Sequence, residues 1–113
     1  MLAKANKLQK KKSFEKVFRN GRGFKESFLF MKVVENKLET SRFGFVVSHK
    51  FSKKATVRNK IRRKIREEVR SRLPFIKEGF DIVLIVHPQR EENVFSKMVE
   101  VIDKLFRKAK IVK

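Results

Sequence analysis

Between residues 53 and 72 a single pattern limits what this chain can become. Val57, Ile61, Ile65 and Val69 recur every four positions and Leu73 extends the row, which predicts an amphipathic helix laid on an apolar surface. Ser52 can cap its start and Pro74 fixes its end. The same stretch holds 10 Lys/Arg against 2 Glu. On a wheel of about 100° per residue with Val57 as origin, the apolar row drifts by about 120° as far as Val69. Asn59, Arg62, Arg63, Arg66 and Arg70 gather between about 140° and 240°, on the other flank. Most of that cluster is Arg, whose planar fork grips phosphate with two donors and stacks on bases, whereas Lys offers a point charge. A solvated face kept for solubility is the plainer reading. It is weakened because acids for i,i+4 pairing are nearly missing, and like charges at that spacing destabilise a helix unless a polyanion neutralises them.

The whole chain shares the bias. Its 31 Lys+Arg against 12 Asp+Glu leave a formal net charge of +19 in 113 residues. That length suits one domain burying roughly 65% of the surface of its unfolded chain, and it excludes an enzyme with a separate cofactor-binding half. With 41% hydrophobic residues and 12 Phe, this is no disordered basic tail. The lack of cysteine removes disulfides, thiolate zinc sites and Cys nucleophiles together. The longest clean apolar run, Ile82 to Val86, falls far short of the ~18–20 residues of a membrane span. Met1 to Lys12 has no apolar core of a signal peptide, so a cytoplasmic protein is expected. A polyanionic partner means nucleic acid or an anionic membrane. The Val/Ile face of the middle helix suits packing on a sheet better than a membrane interface.

Other elements follow from shorter signals. Residues 1–12 read as a flexible basic arm. Ser13 is a candidate cap for a short helix to Arg19, with Phe14, Val17 and Phe18 at i, i+3, i+4, ended by Gly21 and Gly23. Phe24 to Val34 and Arg42 to Ser48 read as strands, separated by a polar turn at Glu35-Asn36-Lys37. Gly79 opens a strand from Phe80 to Val86 that Pro88 closes. Asn93 caps a last helix with Phe95, Met98, Val99, Ile102, Leu105 and Phe106 on one face. The order is α-β-β-α-β-α, with room for a short extra strand near Gly23, and it implies an α+β fold of one sheet with helices packed on it.

Ser48-His49-Lys50, followed by the run from Ala55 to Glu67 (Ala-Thr-Val-Arg-Asn-Lys-Ile-Arg-Arg-Lys-Ile-Arg-Glu), resembles the protein subunit of bacterial ribonuclease P. That family's signature is a basic helix with Arg-Asn-Arg, then a basic pair and Ile-Arg; here Lys60 takes the third place. Lys12 to Phe18, Arg42-Phe43-Gly44-Phe45 and Gly79 to Val83 extend the resemblance over nearly the whole chain. It implies a single-domain α/β sandwich, ribosomal-protein-like, in the order αβββαβα with a left-handed βαβ crossover, an exception to the usual hand. It also implies that a large RNA carries the active site and, with Mg²⁺, cleaves the 5′ leader from precursor tRNA. The protein would bind no cofactor tightly.

Carried over by position, the resemblance assigns catalytic-RNA contacts to Ser48, His49, Lys50, Lys53, Lys54, Arg58, Asn59, Lys60, Arg62, Arg63, Arg66 and Arg70. It assigns contacts with the single-stranded leader to Phe14, Phe18, Phe30 and Lys32. Neither a membrane nor DNA is an expected partner. His49 stands where a cation is usual, and the chain has no Tyr for the family's cleft strand. From the residues alone, Phe14 and Phe18 equally suit a helix packed on the sheet, or both roles at once. His87 beside Pro88 reads as a local structural or solvent-facing residue. The acids are scattered and no nucleophile–base pair or metal set emerges. Composition leaves three other readings open: a ribosomal or other rRNA-binding protein, a DNA-binding helix module, and an isolated enzyme.

Overall fold

A computed structural model describes residues 2–48, 52–87 and 94–113. The elements are α1 (Lys11–Asn20), β1 (Arg22–Glu26), β2 (Leu29–Glu35), β3 (Arg42–Val47), α2 (Ala55–Arg72), β4 (Phe80–Val86) and α3 (Val94–Ala109). The αβββαβα order implied by the resemblance is therefore present. The four strands form one mixed sheet in the order β1-β2-β4-β3. β2 is antiparallel to β1 and β4, while β3 and β4 are parallel neighbours joined by α2.

The central strand reads as an unbroken apolar run because both its faces are covered. Ile82, Leu84 and Val86 face the larger core, where the α2 stripe Ile61, Ile65 and Val69 meets Met98, Ile102, Leu105 and Phe106 of α3. Phe106 stacks on Phe43 of β3 with centroids 6.4 Å apart. Val83 faces the other way, into a smaller cluster with Leu8 and Val17 of α1. Half-buried Phe14, Val34, Val46 and Ile85 surround it.

One end of the sheet is tied by polar groups. Asp81, 2% exposed, accepts from Arg42 at 2.8 Å (Nε) and 2.7 Å (Nη2), and from Asn36 Nδ2 at 2.9 Å. Ser41 Oγ donates to the Lys77 carbonyl and accepts from the Phe80 amide. No side-chain polar atom buried among the described residues lacks a partner, as a core of this size requires. Gly79, at φ +89°, makes the turn into β4 that a side chain would strain.

Several expectations are corrected. The Phe24–Val34 strand is a hairpin turning at Ser27, whose φ is +52°. The turn was hidden because Phe28, 0% exposed, dips into the core and keeps the apolar run continuous. α1 starts two residues before Ser13, with Lys10 as N-cap and no side-chain cap. For α2 the N-cap is Lys54, and Ser52 Oγ instead accepts from the Lys54 amide at 3.2 Å. On α3, Phe95 and Val99 are exposed, and the buried face runs through Val94, Met98, Val101, Ile102 and Leu105. The basic arm is not free: Leu2 and Leu8 are buried, and the Leu8 amide donates to the Phe43 carbonyl at 2.9 Å. Pro88 and the proposed cap Asn93 lie outside the described residues.

Gly44 of β3 has the Phe14 ring directly against it, and a Cβ built there would lie 2.5 Å from Cε1 and Cζ of that ring. Gly44→Ala should therefore cost about 1–3 kcal/mol through overpacking. In thermal unfolding, Gly44→Ala combined with Phe14→Ala should lose less than the sum of the two single losses, because the clash goes with the ring.

Candidate RNA-binding surfaces

The helix α2 divides its cations between two tasks. On one flank Glu68 takes Lys64 at 3.0 Å and Arg72 at 2.8 Å, and Arg72 reaches Asp103 of α3 at 2.8 Å. The hydrogen bond from Arg72 holds the Glu68 carboxyl below its ordinary 4.5, against the opposing effect of burial. This chain of charges fastens α2 to α3. On the other flank, among the described residues, no carboxylate lies within ion-pair distance of Arg58, Lys60, Arg62, Arg63, Arg66 or Arg70.

Three of these side chains are held in place by neutral partners instead. Arg62 Nη1 donates to Asn59 Oδ1 at 2.8 Å, one turn back along the helix. Arg58 Nη1 donates to the Ser52 carbonyl at 2.9 Å and pins the incoming loop to the helix start. The Arg66 guanidinium lies over the Phe45 ring, 5.9 Å from its centroid. None of these contacts cancels charge, so the flank keeps its full positive field while being ordered. Such a surface attracts a phosphate backbone and gains counterion-release entropy on binding it.

The second surface lies on the opposite face of the sheet. Here α1, ten residues long, and Leu8 cover strands that carry Phe30, Val46 and Ile85 half-exposed. Phe14 is half-buried on Gly44, and Phe18, one turn on, is 40% exposed. Phe30 of β2 has a glycine beneath its ring too: a Cβ on Gly23 would lie 2.9 Å from its Cζ. The edge of Phe30 meets His87 with centroids 5.5 Å apart and planes at 76°. Lys32 donates from Nζ to the Phe18 carbonyl at 2.7 Å, tying the end of α1 to β2. Two glycines thus let aromatic rings lie close to the sheet, and an open strip with ring faces and few acids results.

A family model described as Ribonuclease P matches residues 2–110. The chain belongs to the ribonuclease P protein family. The ribonuclease P protein component of a Synechocystis species is 38% identical over 112 residues, which cover 98% of this chain and 90% of that one. The ribonuclease P protein of Staphylococcus aureus superposes with a TM-score of 0.88 at 24% identity, covering 97% of this chain and all of the other. That of Thermotoga maritima gives 0.71 at 27% identity, covering 91% and 93%. These matches separate the ribonuclease P reading from the ribosomal alternative that composition left open.

The positions marked by resemblance to the ribonuclease P proteins fall into the two surfaces. Asn59, Lys60, Arg62, Arg63, Arg66 and Arg70 share the unpaired flank or its margin, with Lys53, Lys54 and Arg58 at the helix start. Phe14, Phe18, Phe30 and Lys32 share the α1 face. Ser48 directly follows β3, and His49 and Lys50 lie outside the described residues. Lys32 differs from a free cleft cation because its ammonium is engaged with the Phe18 carbonyl. His87 was missed as a member of this face, since nothing in the sequence links it to Phe30; the antiparallel register that sets Phe30 opposite Ile85 brings them together. Among the described residues no three His, Asp or Glu side chains converge to hold a metal, and no helix is long and apolar enough to cross a membrane.

Exposure separates the two helix aromatics. Phe18→Ala should change stability by less than about 1 kcal/mol, while Phe14→Ala should cost about 1–3 kcal/mol through the loss of packing on Gly44 and Val83. Chemical denaturation of the two variants checks this, and equal losses would place Phe18 in the core.

Proposed function

We propose that the protein is the RNA-binding subunit of a ribonuclease P holoenzyme and supplies two surfaces to one cleavage reaction. The unpaired flank of α2, with Ser48, His49, Lys50, Lys53 and Lys54 at the approach to it, binds the catalytic RNA. The α1 face, with Phe18 and Phe30 as stacking rings and Phe14 and Lys32 shaping the helix position, takes the single-stranded 5′ leader of precursor tRNA. The active site and its Mg²⁺ belong to the RNA, and the protein supplies binding and orientation. The observation that carries this reading is the row of ordered Arg side chains on α2 without a carboxylate partner, in a chain that belongs to the ribonuclease P family.

The physical division of labour is direct. A helix flank bearing several cations contacts a folded RNA mainly through phosphates, which positions without reading sequence. Single-stranded nucleotides expose base faces that stack on aromatic rings for ~1–3 kcal/mol each, and the half-covered sheet offers such rings. A leader is present in the precursor and absent from the mature product, so binding it favours substrate over product.

Arg62→Ala combined with Arg66→Ala should weaken binding to the catalytic RNA and lower the log–log salt slope by roughly 0.7–0.9 for each phosphate that the variant no longer neutralises. In the assembled enzyme, Phe18→Ala should weaken precursor tRNA by ~1–3 kcal/mol while leaving mature tRNA nearly unchanged. The protein alone should not cleave precursor tRNA. Cleavage by RNA-free protein that survives repurification, or an unchanged salt slope in a folded double variant, would contradict the assignment.

A further inference from the structure

The N-terminal segment and α2 meet at the outer edge of β3, the last strand of the sheet. Lys7 bridges Phe43 through the backbone, and Leu8, 5% exposed, plugs the small core beneath α1. With Leu8 anchored inward, its neighbours Lys7 and Gln9 lie at the surface along the strand edge. Across from them α2 presents Arg62 and Arg66. Between the two segments lies a groove of about 260 Å³ lined by Lys7, Gln9, Phe14, Phe45, Arg62 and Arg66, with Gly44 in its floor. Three cations, one amide and aromatic carbon line it, and no carboxylate does.

We propose that this groove holds a single nucleotide of the RNA partner, with its phosphate between Lys7 and the two Arg side chains and its base against the aromatic wall. The proposal rests on the reading that the protein binds RNA and adds the N-terminal segment to the binding surface. The chemistry matches a ribonucleotide part by part. Arg forks and an ammonium bind phosphate oxygens, and the rings of Phe14 and Phe45 offer apolar carbon to a base. The Gln9 amide, both donor and acceptor, suits a ribose 2′-hydroxyl, which is likewise both. The groove accommodates one unstacked nucleotide rather than a duplex. It also lies where the two faces of the sheet meet, since Phe14 belongs to the α1 face and Phe45 to the α2 face. The nucleotide can therefore belong to the catalytic RNA or to the leader, and the two sources call for separate measurements.

The test is Lys7→Gln, which removes the charge and leaves the backbone bridge, so the thermal midpoint should hold. Binding of the full-length protein to transcribed ribonuclease P RNA from the same organism is measured across a salt series for Lys7→Gln, Arg62→Gln and the double variant. If the nucleotide comes from the catalytic RNA, Lys7→Gln should lower the slope by roughly 0.7–0.9, and the double variant should lose less affinity than the two single losses combined. If it comes from the leader, that slope should hold, and the Lys7→Gln holoenzyme should lose affinity for precursor tRNA but not for mature tRNA. A neutral Lys7→Gln in both assays, beside a lowered slope for Arg62→Gln, would overturn this inference and leave the RNA-binding reading standing. Neutral results for both variants would overturn both.

Discussion

The strand β4 pairs with β2 on one side and parallel β3 on the other, and Ile82, Val83, Leu84 and Val86 are inaccessible on its two faces. Burying it fully requires a layer on each face, and the two layers are unequal. α2 and α3 cover one face with more than thirty helical residues between them. The ten residues of α1 cover the other, helped by Leu8 from the N-terminal segment. This asymmetry leaves Phe30, Val46 and Ile85 half-exposed on the α1 side and creates the strip assigned to the leader. A longer first helix would make a better core and remove the strip.

Electrostatics follow the same logic of unequal use. With only 12 acids for 31 basic side chains, four of the acids sit where two elements are joined. Asp81 joins β4 to β3 through Arg42, Glu68 and Asp103 clamp α2 to α3 through Arg72, and Glu26 holds Lys108 of α3 against β1. On α2, Arg62, Arg58 and Arg66 are ordered by an amide, a carbonyl and a ring rather than by carboxylates. An ordered, uncancelled charge loses less entropy on meeting a phosphate than a mobile one, and its counterpart must come from outside the chain.

Period-based features were the most legible in the sequence. The α2 row and the basic flank beside it appear on a helical wheel because both lie on one regular element, and β4 was bounded correctly because Gly79 and the apolar run mark it. Features that depend on contacts between distant residues were not legible. Leu2 and Leu8 are two apolar residues among many lysines, and only their partners in the folded chain show that the segment is packed. Val99 continues an apolar pattern on α3 but lies past the edge of the arc that meets the sheet. Lys64–Glu68 and Arg72–Glu68 are i,i+4 pairs within α2, but the bond from Arg72 to Asp103 depends on where α3 crosses α2. The seats at Gly23 and Gly44 need the sheet register before either glycine acquires a meaning.

The claim that the half-covered sheet face receives the leader is tested most directly by photocrosslinking. A precursor tRNA carrying a photoreactive base in its 5′ leader is bound to the assembled holoenzyme, irradiated, and the crosslinked peptides are mapped. Crosslinks are expected in α1 and β2, concentrated around Phe18 and Phe30, and they should disappear when the leader is removed. Crosslinks confined to the outer face of α3, with α1 and β2 untouched, would contradict the claim.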